Sequence, residues 1–93
     1  MTHHLSNLFP LGQLVITPGA LDGLHPADVY ESMLRHTRGD WGECCAEDAA
    51  ENQMSLREGF RLVSIYHDRN GVKFYIITEA DRSSTCILLP DEY

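Results

Sequence analysis

Ninety-three residues fit one small domain with a modest core. Hydrophobic residues make up 43% of the chain and charged residues 23%, which excludes wholesale disorder, and no apolar run reaches the ~18 residues a membrane span needs. The formal net charge of −7 argues against direct contact with phosphate backbones.

The negative excess is local. Asp40, Glu43, Glu47, Asp48, Glu51 and Glu58 stand against Arg57 alone between residues 40 and 58, while the flanking stretches are nearly balanced. Such a surface attracts a basic protein partner; the plainer reading is a solvated helix. Three cysteines, two of them adjacent at Cys44 and Cys45, do not form a disulfide framework, so reduced thiols are expected. The opening residues lack a basic segment followed by an apolar one, so no secretory signal is read there and the cytoplasm is the expected compartment.

In chain order, residues 1–9 are expected to be loosely held. Gln13–Thr17, rich in β-branched residues and stopped by a Pro18-Gly19 turn, reads as an edge strand. Pro26 suits a first helical position, and Val29, Tyr30, Met33 and Leu34 recur at helical spacing, which predicts a helix over 26–38 ended by Gly39. Asp40-Trp41-Gly42-Glu43 reads as a loop. Ala46–Glu58 reads as a second, half-exposed helix with Gly59 as its stop.

A β-meander follows, with strands over 60–67, 72–79 and 85–90. Asn70-Gly71 is a strong hairpin signal. A two-residue turn there pairs Arg69 with Val72, His67 with Phe74, Ile65 with Ile76 and Val63 with Thr78, and places those residues together on the face turned to the helices. Strand 72–79 is then central. The expected fold is α+β: two helices on one face of a three- to four-stranded antiparallel sheet, in the order β-α-α-β-β-β.

Few residues suggest chemistry. His3, His4, His25, His36 and His67 lack metal-ligand spacing, adjacent Cys44-Cys45 is poorly spaced for chelation, and no nucleotide-binding glycine motif occurs, so no metal and no cofactor is expected. A thiol nucleophile at Cys44 or Cys45 is disfavoured by the acids around it. Trp41 is either a core plug or a binding anchor. The loop with Glu79, Asp81 and Arg82 reads as a turn or a second contact patch.

The runs Gly39-Asp40-Trp41-Gly42-Glu43, Ser55-Leu56-Arg57-Glu58-Gly59 and Ile77-Thr78-Glu79-Ala80-Asp81-Arg82-Ser83, with the ending Leu88-Leu89-Pro90-Asp91-Glu92-Tyr93, resemble a family of small bacterial proteins found on chromosomes, plasmids and other mobile elements. The resemblance covers almost the whole chain. Members sometimes carry the label type I restriction endonuclease subunit M, but a methyltransferase needs a much longer cofactor-binding domain and a Pro-Pro loop that this chain lacks. The resemblance brings no catalytic residues. It implies a setting in which small acidic proteins inhibit host defence, as anti-restriction and anti-CRISPR proteins do.

Two functions follow as expectations. The first is a non-enzymatic module that contacts a basic, nucleic-acid-handling protein through Asp40, Trp41, Glu43, Glu47, Asp48, Glu51, Glu79, Asp81 and Arg82. The second is a small enzyme or ligand-binding protein with a site where Asp40, Trp41, His36 and Glu79 converge. A homodimer is compatible with either, with edge-to-edge pairing expected through Thr85–Leu89.

Overall fold

A computed structural model describes residues 7–93. Its elements are β1 (Gln13–Ile16), α1 (Pro18–Gly23), α2 (Pro26–Thr37), α3 (Ala46–Glu58), β2 (Leu62–His67), β3 (Lys73–Thr78) and β4 (Ser84–Leu88), with a short 3₁₀ turn over Pro90–Glu92. The class is α+β. The sheet runs β1-β4-β3-β2 and is mixed rather than purely antiparallel, because β1 lies parallel to β4. β3 is central, between β2 and β4. β4 is also internal, so the expected dimer contact through Thr85–Leu89 is not available: that strand already has β1 on its other side. No helix among the described residues is long and apolar enough to cross a membrane.

A third helix replaces the expected turn at Pro18-Gly19. Thr17 caps α1 by accepting from Ala20 N–H, and Pro18 fills a first-turn position that needs no donor. The Glu92 carboxylate arrives from the far end of the chain to accept from Gly19 N–H at 2.9 Å and from the Thr17 hydroxyl at 2.5 Å. Those bonds hold the Glu92 carboxyl below its usual pKa.

The meander forms, but its register differs by one residue from that expected. Tyr66 faces Phe74, Ser64 faces Ile76 and Leu62 faces Thr78. The reason is Asp68. Its carboxylate accepts from Asn70 N–H and Val72 N–H, and its own N–H bonds Val72 O, which closes a three-residue loop. Gly71 alone takes the left-handed conformation, at φ 81°, where a two-residue Asn-Gly turn needs two such residues. A one-residue slip turns a strand over. Leu62, Ser64 and Tyr66 are therefore the buried face of β2, and Val63, Ile65 and His67 face the other way.

The main core lies on that buried face. Tyr66, Phe74, Ile76 and Ile87 from the sheet meet Ala20 and Leu24 of α1, with Val29 and Met33 of α2 against them. A second cluster, Phe9, Trp41 and Leu62, joins the 40–45 loop and α3 through Cys44, Ala49 and Leu56. Of the stretch expected to be loose, residues 1–6 lie outside the described residues, whereas Phe9 is buried and Leu8 N–H bonds Thr37 O.

α3 packs on the Leu62 cluster of the buried face through Ala49 and Leu56, and it also closes the outer edge of β2. The Asn52 side chain donates to Val63 O at 2.8 Å and accepts from Val63 N–H at 3.1 Å, as a neighbouring strand would. The 41–43 loop treats Ile65 in the same way: Ile65 N–H bonds Trp41 O and Glu43 N–H bonds Ile65 O. Gly42 bridges to Ile65 at φ 73°, and a Cβ there would run into the Ile65 carbonyl oxygen.

Candidate interaction surface

The residues singled out in the sequence separate into three groups. Trp41 belongs to the core. It is only 5% exposed, its ring stacks on Phe9 with centroids 6.4 Å apart, and it meets His36 edge-on at 5.7 Å. It is not a surface anchor. Among the described residues its Nε1–H finds no acceptor.

The second group is charged but engaged within the chain. Asp40 accepts two bonds from Arg35, at 2.7 and 3.2 Å, and one from Gly42 N–H. The Arg35 guanidinium holds its carboxyl below the ordinary range. Glu43 lies 2.6 Å from His67 Nδ1, and Glu79 lies 3.5 Å from Arg61. Asp81 accepts from Ser83 in its own turn, which also lowers its pKa. Arg82 is a local clamp: it donates to the carbonyls of Phe60, Glu79, Ala80 and Ser55, the last in the final turn of α3. A cation there suits the negative end of the helix. Arg82 also adopts φ 61°, and no other described non-glycine residue has a positive φ.

The third group remains open. Glu47, Asp48 and Glu51 are exposed on α3, and among the described residues none has a salt bridge or a hydrogen-bonded partner. Asp48 and Glu51 border a cleft of about 230 Å³ whose other wall holds Arg61, Val63 and Ile65 of the β2 region.

The four residues expected to converge on a small-molecule site do not. His36 and Trp41 meet in the core, whereas Asp40 and Glu79 are tied to Arg35 and Arg61 in separate surface pairs. His36 instead anchors a closed polar chain. Its Nδ1 is 2.6 Å from Ser64 Oγ, its Nε2 is 2.9 Å from Thr78 Oγ1, Thr78 Oγ1 is 2.7 Å from Thr85 Oγ1, and Thr85 donates to Leu11 O. The last bond fixes the rest. Thr85 spends its proton on Leu11, so Thr78 donates to Thr85, His36 donates from Nε2 to Thr78, and Ser64 donates to Nδ1. His36, Ser64, Thr78 and Thr85 are all fully buried, so this histidine and serine have no route to a substrate. Burial drives the His36 pKa down to about 4, with the Arg82 charge adding to the effect.

Thiol chemistry gains nothing either, since burial raises the Cys44 and Cys86 pKa values. No group of three or more His, Cys, Asp or Glu residues able to hold a metal occurs among the described residues; His3 and His4 lie outside them.

One surface was not singled out from the sequence. Leu14 and Ile16 of β1, Leu21 of α1, and Val29, Tyr30 and Met33 of α2 line an apolar cleft of about 280 Å³. Its sequence signal is the run of exposed and half-exposed apolar residues in a strand with no charge, which periodicity alone cannot tell from a core strand.

Comparison with protein-family models, curated proteins and solved structures finds no match to this chain.

Proposed function

We propose that this protein is a non-enzymatic module that binds a basic partner protein through the exposed acids of α3. The observation that carries this reading is the contrast within its acids. Asp40, Glu43, Glu79 and Asp81 have partners inside the chain, while Glu47, Asp48 and Glu51 are exposed and unpaired among the described residues. Glu47 and Glu51 stand four apart on one helix, a like-charge spacing that weakens the helix by a few tenths of a kcal/mol. Glu58 adds a negative charge in the last turn, where the helix dipole opposes it. Glu47 and Asp48 sit in the first turn, where the dipole favours them; what suits them and Glu51 to an electropositive surface is that all three are exposed and unpaired among the described residues. From the wider set expected in the sequence, Glu47, Asp48 and Glu51 are kept as contacts, and the exposed Met54 side chain of the same helix is added.

The resemblance to proteins of mobile elements gives the setting. In it, the partner is a nucleic-acid-handling protein of host defence, and the module occupies a basic surface meant for phosphates. The test is capture from a bacterial lysate at about 50 and about 500 mM salt, with a Glu47→Lys/Glu51→Lys bait whose fold is checked by circular dichroism. The reading expects a nucleic-acid-handling complex that is captured at low salt only and is lost with the variant. Capture indifferent to both salt and charge reversal would overturn it.

A further inference from the structure

The strand edge opposite α3 carries an inference that does not rest on the reading above. Gln13 N–H bonds Ser83 O and Thr17 N–H bonds Ile87 O, so the odd-numbered residues of β1 turn their backbone groups toward β4. By the alternation of a strand, Leu14 and Ile16 direct their N–H and C=O groups outward. Among the described residues those groups meet nothing. Natural sheets guard such edges with charge, proline, a bulge or a covering segment. Among the described residues, 13–16 have none of these, and the cleft beside them is lined by no charged residue.

From this geometry we infer that β1 pairs antiparallel with β1 of a second copy of this chain, about a two-fold axis through Val15. The register is self-complementary. Leu14 of one copy faces Ile16 of the other, and both pairs exchange N–H···O bonds, four in all. Val15 faces Val15 in the close, non-hydrogen-bonded position on the opposite sheet face. Leu14 and Ile16 lie on the cleft side, so the two clefts meet across the axis.

Area and charge both favour a copy as the occupant. Leu14, Val15, Leu21 and Tyr30 are 47, 40, 65 and 59% exposed. Leu14, Leu21 and Tyr30 on the cleft side, with Val15 on the opposite face of the same edge, together offer roughly 400 Å² of apolar surface. Two such patches and the paired backbones reach about 1,000 Å², the lower bound for a specific association. The net charge of −7 does not oppose the contact, because the acidic helix lies at the far end of the sheet. In the eight-stranded dimer sheet the two β2 strands stand seven strand spacings apart, about 34 Å, which is several times the ~8 Å screening length. A foreign peptide would satisfy the strand edge, but it would not by itself bring a second Leu21 and Tyr30 to cover the first pair.

The test is sedimentation equilibrium over a range of protein concentrations at physiological salt, reading the shift from 10.5 kDa to twice that mass. Leu14→Pro removes an outward N–H that the fold does not use, and should weaken the dimer roughly 30-fold through the two symmetric bonds lost. A Val15→Cys variant in a Cys45→Ser/Cys86→Ser background, which removes the thiol that stands beside position 15 on β4, should oxidise rapidly to a symmetric cross-link. Gln13→Cys in the same background should not, because its two copies lie well beyond the ~7 Å Cα limit for a disulfide. Glu47→Lys/Glu51→Lys should leave the dimer intact, which separates this inference from the one about α3. A protein that stays monomeric up to about 1 mM, a dimer indifferent to Leu14→Pro, or cross-linking at 13 as fast as at 15 would each overturn it. So would a monomer that takes up extended apolar peptides along β1 in place of a second copy.

Discussion

Along the outer edge of β2, Val63 and Ile65 give their outward backbone groups to Asn52 and the 41–43 loop; along the outer edge of β1, Leu14 and Ile16 give theirs to nothing among the described residues. Both edges belong to the same four-stranded sheet. The closed edge carries the acidic helix, and the open one borders the apolar cleft. A sheet edge is not open or closed by its strand sequence alone. Leu62–His67 is longer than Gln13–Ile16 and offers more backbone to pair with, yet one amide side chain and one glycine loop remove it from reach.

The comparison can be broken most forcefully at Gly42. Gly42→Ala adds a Cβ that collides with the Ile65 carbonyl at a left-handed φ, so the loop must leave the β2 edge. The expected loss is about 3 kcal/mol or more, read by urea denaturation, together with new aggregation through β2.

Acid sharpens the comparison by acting between the edges. The folded His36 takes its proton near pH 4, against 6.5 for the free side chain. Between those values the unfolded chain binds the extra proton, so stability is complete above pH 6.5 and falls as pH drops toward 4, by about 3 kcal/mol. The polar chain spans β2, β3 and β4, so hydrogen exchange should show both edges opening together. A His36→Phe variant that unfolds with the same pH dependence over that window would refute the assignment.

Asn52→Ala leaves Val63 N–H and C=O without partners and should cost about 2 kcal/mol, with faster amide exchange confined to the β2 edge. Leu14→Lys is the mirror experiment and the smallest in stability, within about 0.5 kcal/mol of the parent. Its effect should appear in the sedimentation mass, through loss of the two-fold contact.

Much of the fold was legible because its signals are local. Pro26, Gly39 and Gly59 mark helix ends within a residue or so of where they fall, and the apolar alternation marks three strands. What was not legible depends on groups that are distant in sequence or that choose between local options. Asn70-Gly71 announces a hairpin, but the Asp68 carboxylate decides its loop length and so which face of β2 is buried. Thr17-Pro18 is a helix start as well as a turn, and Glu92 tips the balance from 73 residues away. The acidic stretch was visible as charge. Which of its carboxylates stay unpaired was not, because that depends on where Arg35, Arg61 and His67 come to rest.

The parallel pairing of β1 with β4 also bears on how the chain is made. Thr17 and Ile87, bonded at the end of that ladder, are 70 residues apart. At ribosomal speeds of about 5–20 residues per second, β1 emerges some 4–14 s before its partner exists. Through that interval the β2–β3 hairpin can form on local contacts, but β1 waits with both of its edges bare. Such long-range closure slows folding. It also leaves the uncharged 13–16 segment open to pairing with a neighbouring chain before the fold is complete.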